Sequence, residues 1–134
     1  MRKLLYVLLF LSALPFLEAV PEARRACDAV MKQYVGFPSE LVPVLASAKD
    51  GVSAEAAAPK LEALLPRLFA LREQIKKLPV PDAETAKELE SAYGLDMRTK
   101  WGEVFQEIYR LQAAACFNSE SFQKIFMTMC LILR

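Results

Sequence analysis

Two interlocking series of apolar residues in the middle of the chain constrain its fold most strongly. Each series repeats every seven residues and lies three or four residues from the other, the pattern of a coiled-coil-like helix seam. The series are Leu61, Leu68 and Ile75, and Ala57, Leu64, Leu71 and Leu78. Pro59 and Pro66 share the heptad position opposite this seam, where a proline ring contacts nothing in the core. We expect a helix over about residues 54–78, opened by Ser53 and kinked at Pro66.

A second long apolar pattern follows a stiff link at Leu78-Pro79-Val80-Pro81. Asp82 is placed to cap the helix after this link, and the apolar spacing continues through a four-residue stutter in the heptads. Gly94 and Gly102 flank the stutter, and each weakens a helix by about 1 kcal/mol relative to alanine. The pattern predicts one helix over about residues 83–117, with a break most easily placed at Gly94.

The two long segments determine the predicted fold class. Each has one apolar stripe that it cannot bury alone, so the short link predicts that they fold back on each other. Shorter helices are expected over about residues 22–35, 39–49 and 120–133, with Gly36 ending the first and Ser39 capping the second. The prediction is an all-α fold: an antiparallel long-helix hairpin with short flanking helices in a small helical bundle, after an N-terminal signal peptide.

The first 19 residues have the pattern of an export signal. Met1-Arg2-Lys3 is basic, Leu4–Leu17 is apolar apart from a serine and a proline, and Glu18-Ala19 ends the run with a small residue. The apolar run has 14 residues, short of the ~20 that cross a bilayer as a helix. We therefore favour cleavage after Ala19 over an uncleaved anchor, leaving a single helical domain over residues 20–134 and an exported protein, periplasmic or secreted.

Charge and residue usage argue against several classes of function. Residues 20–134 carry fifteen basic and fifteen acidic side chains, so they lack the positive excess expected of a nucleic-acid binder. Histidine is absent, which removes the commonest general base and metal ligand. The pairs Glu84/Glu88 and Glu103/Glu107 are accordingly interpreted as solvated helix faces. We predict a protein that is not an enzyme and has no cofactor, metal or nucleic-acid partner.

Three cysteines lie beyond the predicted signal, at Cys27, Cys116 and Cys130. In an oxidising compartment this odd number permits one disulfide and one leftover thiol. Cys130 is expected roughly 16 Å along a helix beyond the turn that follows Cys116, which disfavours that pair. Cys27 with Cys116 or with Cys130 stays open, as does the alternative that all three are small buried hydrophobes.

Two apolar clusters are candidate sites. Tyr93, Met97, Trp101 and Phe105 could line a pocket for an apolar ligand, or they could simply be core residues. The C-terminal segment is apolar around most of its circumference, which indicates burial or an interface. It is too short to span a bilayer and lacks a basic polar face. Its main face is either core or a self-association surface and consists of Phe122, Ile125, Phe126, Met129, Ile132 and Leu133.

Several stretches resemble uncharacterised small exported helical-hairpin proteins of bacteria. These are Lys49-Asp50, the run from Ser53 to Leu61, the proline link and Tyr93-Gly94. The resemblance implies the hairpin and a bacterial envelope location; those proteins have no established activity, so it implies no catalytic residue.

Two functions remain from the sequence. The first is a non-enzymatic module of the cell envelope that binds another protein or itself. The second is a carrier that holds a small apolar ligand between its helices. The mature chain is expected to have no transmembrane span.

Overall fold

The computed structural model describes residues 24–134, which form helices and no strand. Helix α1 covers residues 24–36, and a left-handed turn over Ala115–Asn118 precedes the last helix. The other helices are α2 (Pro38–Ser47), α3 (Gly51–Lys77), α4 (Ala83–Ala113) and α5 (Glu120–Leu133). The all-α fold class is confirmed. The predicted signal, its cleavage after Ala19 and the predicted helix start at residue 22 lie outside the described residues.

An aspartate caps each of the two long helices, although Ser53 was expected to open the first. The Asp50 carboxylate accepts a hydrogen bond from the Ser53 N–H at 2.8 Å, and the Ser53 hydroxyl accepts one from the Asp50 N–H at 2.9 Å. This reciprocal capping box moves the start of α3 to Gly51, three residues before the predicted one. The Asp82 carboxylate accepts from the Thr85 N–H at 2.7 Å, which confirms the predicted cap of α4.

Helices α1 and α2 form one nearly continuous rod with a single break. The Phe37 N–H donates to the Gln33 carbonyl at 3.0 Å, and the Leu41 N–H donates to the Phe37 carbonyl at 3.2 Å. Pro38 has no N–H, so the Tyr34 carbonyl receives no helical bond from it. The turn between α1 and α2 is therefore one residue long, at Phe37.

Register between helices follows from pairs of contacting residues. The rod of α1 and α2 runs parallel to α4, because the sequence offset between partners stays at 65, 67 and 65 residues along it. The contacting pairs are Asp28–Tyr93, Tyr34–Trp101 and Leu45–Arg110. Helix α3 runs the opposite way, since Arg67 reaches back to Glu40 at 2.7 Å and lies over the ring of Phe37.

Helix α2 lies between the two long helices. It packs against both α3 and α4, whereas no Cα atom of α3 lies within 8 Å of a Cα atom of α4. A Cβ on Gly51 would lie 3.6 Å from the Phe117 carbonyl oxygen, so the end of α4 is beside the start of α3 and the hairpin is antiparallel. The expected direct seam between the two long helices is wrong, because α2 fills the space between them.

The buried face of α3 is wider than the predicted stripe. Leu61, Leu68, Leu71 and Ala57 are buried as expected, but Leu65 is buried too, whereas Leu64 is only partly buried. Helix α3 packs against α2 on one side and α5 on another. A helix with two neighbours buries a broader face than a two-helix seam does.

Helix α4 is shorter than predicted. It runs unbroken through Gly94 but ends at Ala113, four residues before the predicted end at residue 117. The next residues, Ala115–Asn118, all have φ between 49° and 57°, which is the left-handed region. This turn reverses the chain and lets α5 return along α3. The predicted bounds of α5 are confirmed.

Candidate binding surface

Trp101 is a core residue and not the wall of an open pocket. Its ring is 4% exposed and stacks on Tyr34, with ring centroids 4.5 Å apart. Its Nε1–H donates to the Tyr34 carbonyl at 3.0 Å, the same carbonyl that Pro38 leaves without a helical donor. Met97 packs against the same core, whereas Phe105 is 47% exposed. The four side chains of the predicted pocket therefore do not share one environment.

Tyr93 belongs to a polar network that joins α1 to α4. Its hydroxyl donates to an Asp28 carboxylate oxygen at 2.9 Å, and Arg24 pairs with both Asp28 and Glu88. The Tyr93 hydrogen bond lowers the pKa of the Asp28 carboxyl, with a smaller lowering from Arg24. Burial, and then the bond to Asp28, raises the pKa of the Tyr93 phenol. This network fixes the register of two helices.

The predicted self-association face of α5 lies inside the protein. Its buried members are Phe122, Phe126 and Met129. Its remaining members are Ile125, Ile132 and Leu133, which are partly buried against the core. The face is covered because α5 packs along α3, which agrees with the core alternative of the sequence analysis. No helix among residues 24–134 has the length and apolar character needed to cross a membrane.

The three cysteines are free. Cys27 precedes Asp28, which contacts Tyr93, and twenty residues of α4, roughly 30 Å, separate Tyr93 from the helix end near Cys116. A disulfide between Cys27 and Cys116 would need Cα atoms within about 7 Å, so the fold does not permit it. The pairing of Cys27 with Cys130 is not formed either. Burial raises the pKa of the Cys116 and Cys130 thiols.

The paired glutamates take structural partners. Glu88 pairs with Arg24, and Glu107 pairs with Arg110 at 2.8 Å. Arg110 also donates to the carbonyls of Leu45 and Ala48, both at 2.9 Å, and so adds a side-chain donor at the end of α2. In the part of the chain that the structure describes, no three His, Cys, Asp or Glu residues converge as metal ligands do.

A groove lies between α3 and α5, which run parallel. Gly51 lies beside the Phe117 carbonyl near the start of both helices, and Arg72 contacts Arg134, 62 residues later in the chain, near their ends. The volume of the groove is about 490 Å³. Its apolar lining consists of Leu65, Pro66, Phe69, Ile125 and Ile132, with Glu62, Lys124 and Thr128 at its edges. Pro66 has no N–H to donate to the Glu62 carbonyl, so that oxygen lacks its helical bond. We call this cavity the α3–α5 groove.

The α3–α5 groove continues toward a basic end. A neighbouring cavity of about 290 Å³ shares Phe69 and Ile132 with it, and its charged residues are Arg72, Glu73, Lys76 and Arg134. Arg72 donates from Nη2 to the Arg134 carbonyl at 3.1 Å, and its buried Nε has no hydrogen-bond partner within the described chain. Lys76 pairs with Glu73 at 3.0 Å. The charged side chains at this end are three cations and one carboxylate.

Large apolar side chains are exposed beside the groove. Phe69 on α3 is 55% exposed, and Leu131 and Met127 on α5 are 64% and 60% exposed. Phe69 and Leu131 line the same cavity, and Met127 is one helical turn from Leu131. We call these three residues the apolar patch. The sequence offered one sign of it, because Phe69 lies outside both heptad series.

No protein-family model, curated protein or solved structure matches this chain. Its function is therefore inferred from its own residues and from the geometry of this surface.

Proposed function

We propose that this chain is an exported, non-enzymatic protein of the cell envelope that binds another protein through the apolar patch and the α3–α5 groove. The observation that carries the proposal is the exposure of Phe69 and Leu131 on adjacent helices beside a groove with an apolar lining. Contiguous exposed apolar surface on a small domain is typical of a site that binds something.

The chemistry of the surface suggests the kind of partner. Parallel helices with a groove between them fit the apolar face of an amphipathic helix, with side chains every three or four residues entering the groove. Arg72, Lys76 and Arg134 at one end favour a partner helix with acidic residues next to its apolar face. Glu62 and Lys124 at the other end balance each other in charge.

Perturbed side chains elsewhere have structural explanations. The pKa values of Asp50 and Asp82 are lowered by the hydrogen bonds of the helix N-termini that these residues cap. Asp28 and Tyr93 hold α1 on α4. These groups are used by the fold, which supports a binding role over a catalytic one.

A matched pair of phenylalanine substitutions tests the binding surface. We compare Phe69→Asp with Phe105→Asp, since both rings are about half exposed but only Phe69 lies at the groove. Envelope proteins that co-purify with the wild type and the Phe105 variant should be lost from the Phe69 variant. Equal capture by all three, with circular dichroism showing intact folds, would contradict the proposal.

Export rests on the pattern of residues 1–19 and has its own test. The chain recovered from the envelope or the medium should begin at Val20, as read by intact mass. Recovery of the full-length chain inside the cell would contradict export and leave the binding surface untouched.

The shape of the α3–α5 groove favours a second candidate function, a carrier of apolar ligands. The ligand site would be this groove and its basic end, not the Trp101 cluster that the sequence suggested. An acyl chain would lie against Phe69, Ile125 and Ile132, and an anionic head group would meet Arg72 and Lys76. Calorimetric titration with dodecanoate and with dodecanol tests this candidate: dodecanoate should bind more tightly, and Lys76→Gln should abolish the difference. No heat with either compound would contradict it.

A further inference from the structure

The left-handed turn between α4 and α5 conflicts with its own sequence. Ala115, Cys116, Phe117 and Asn118 all have φ near 50°, and none of them is glycine. The left-handed conformation crowds the Cβ of every L-residue, and asparagine tolerates it best of the four. The neighbouring alanines favour a right-handed helix. The turn makes two backbone hydrogen bonds of its own, from the Phe117 N–H to the Ala114 carbonyl at 3.0 Å and from the Ser119 N–H to the Cys116 carbonyl at 3.1 Å. Contacts outside the turn must offset the rest of the conformational cost.

Packing around the start of α5 supplies part of those contacts. Cys116 is buried and Phe117 packs against the core. The buried Ser119 caps α5 by accepting from the Phe122 N–H at 3.4 Å. The turn itself contacts α3 and α4, so it is held at the point where α5 begins its return along α3.

Among helices α2 to α4, α5 packs on one neighbour. Apart from the turn, α3 is the only one of helices α2 to α4 whose Cα atoms approach those of α5 within 8 Å. Releasing α5 would expose Phe122, Phe126 and Met129 together with their partners on α3. An opened chain would therefore need another α5 to cover its α3.

We propose that two copies of this chain exchange α5, each placing its α5 on the α3 of the other. Every α3–α5 contact is remade in the exchanged dimer, and both turns leave the left-handed region as α5 swings away from its own chain. Two-fold symmetry is satisfied, because each copy gives and receives the same element. The inference rests on the turn and on the α3–α5 interface and does not require the proposed function.

Two exposed alanines provide a matched test of the turn. Ala115 is left-handed, whereas Ala113, two residues earlier, ends the right-handed α4. Glycine adopts the left-handed region freely, so Ala115→Gly should shift the equilibrium of each turn toward the closed monomer by about fivefold. With two turns in a dimer, its dissociation constant should rise by about 25-fold. Ala113→Gly should leave that constant unchanged.

The opposite change should favour the dimer. Asn118→Ala removes the residue that best tolerates the left-handed region and should lower the dissociation constant several-fold. Light scattering over a concentration series, after partial unfolding and refolding of the concentrated chain, gives all four constants. If the protein is monomeric at every concentration, the proposal is overturned. A dimer that responds equally to Ala115→Gly and Ala113→Gly would also overturn it, because a surface dimer does not use the turn.

A cross-link between copies tests the exchange directly. Glu62 and Lys124 line the same groove. One chain carries Glu62→Cys and the other Lys124→Cys, both with the three native cysteines replaced by serine. After refolding of the mixture, oxidation should link the two chains covalently. The same mixture without refolding should give no linked product. If a refolded sample contains dimer but no linked product, exchange of α5 is refuted.

Discussion

Replacing Phe122 by alanine should cost this protein a large part of its stability. Phe122 is 0% exposed at the start of α5, and its ring stacks at 6.1 Å from that of Phe126. Truncating a buried phenylalanine typically costs about 3–5 kcal/mol, from lost burial and from the cavity that remains. The free energy of unfolding of a domain of this size is about 5–15 kcal/mol, so the loss is about a fifth of the total or more.

Met127 provides the control on the same helix. It is 60% exposed, so Met127→Ala should lower the free energy of unfolding by less than about 1 kcal/mol. Urea titration followed by Trp101 fluorescence and by helical circular dichroism measures both, because Trp101 is the single tryptophan. The expected midpoint shift for Phe122→Ala is about 2 M at a urea dependence of about 2 kcal/mol/M. Similar small shifts for the two variants would refute the burial of α5. If Phe122→Ala fails to fold, Phe122→Leu should show a smaller loss with the same sign.

Three further outcomes are expected. Arg110→Leu removes both hydrogen bonds to the end of α2 and should lower the free energy of unfolding by about 1–3 kcal/mol. A loss of less than a few tenths of a kcal/mol would show that water replaces the guanidinium. Gly102→Ala should raise the melting temperature by a few degrees, since a Cβ there meets nothing within 4 Å and alanine favours a helix by about 1 kcal/mol; a lower melting temperature would contradict the helix around it. Asp50 and Asp82 have lowered pKa values in the folded protein. Their contribution to the free energy of unfolding is therefore present above pH ~3.8 and should be lost as the pH falls below it. In urea titrations at several pH values, replacing both by asparagine should flatten this loss, and an unchanged pH profile would show that the caps do not matter.

The sequence predicted the helices well because their local signals are strong. The bounds of α5 and the cap at Asp82 are as expected, and the buried side of α3 contains most of the predicted heptad residues. Leu65 was missed because its burial depends on how many helices surround α3. The periodicity of one helix does not reveal how many other helices pack around it.

The left-handed turn could not be predicted from local preferences. Alanines before Cys116 favour a right-handed helix, and they were assigned to one. The reversal is imposed by α5 returning to α3, which is a contact between residues far apart in sequence. Tertiary packing here overrides propensity.

The candidate site was predicted only in part. The apolar character of α5 was recognised, but whether its face meets α3 or a second copy depends on the packing of α3. Trp101 was recognised as part of a cluster, but its carbonyl partner on Tyr34 is free only because of Pro38, which lies 63 residues away in the chain. The groove requires the 62-residue register between α3 and α5, and no spacing within either helix encodes it.

Spin-label distances across the two helices test most directly whether α5 lies parallel along α3. Labels at Glu62 and Lys124 in the dilute monomer should be within about 20 Å, since packed helix axes are about 8–10 Å apart. Labels at Lys76 and Lys124 should be farther apart, because the 14 residues from Glu62 to Lys76 span about 21 Å of helix. The reverse order of distances, or a Glu62–Lys124 separation near the ~40 Å length of α3, would contradict this packing and the binding surface built on it.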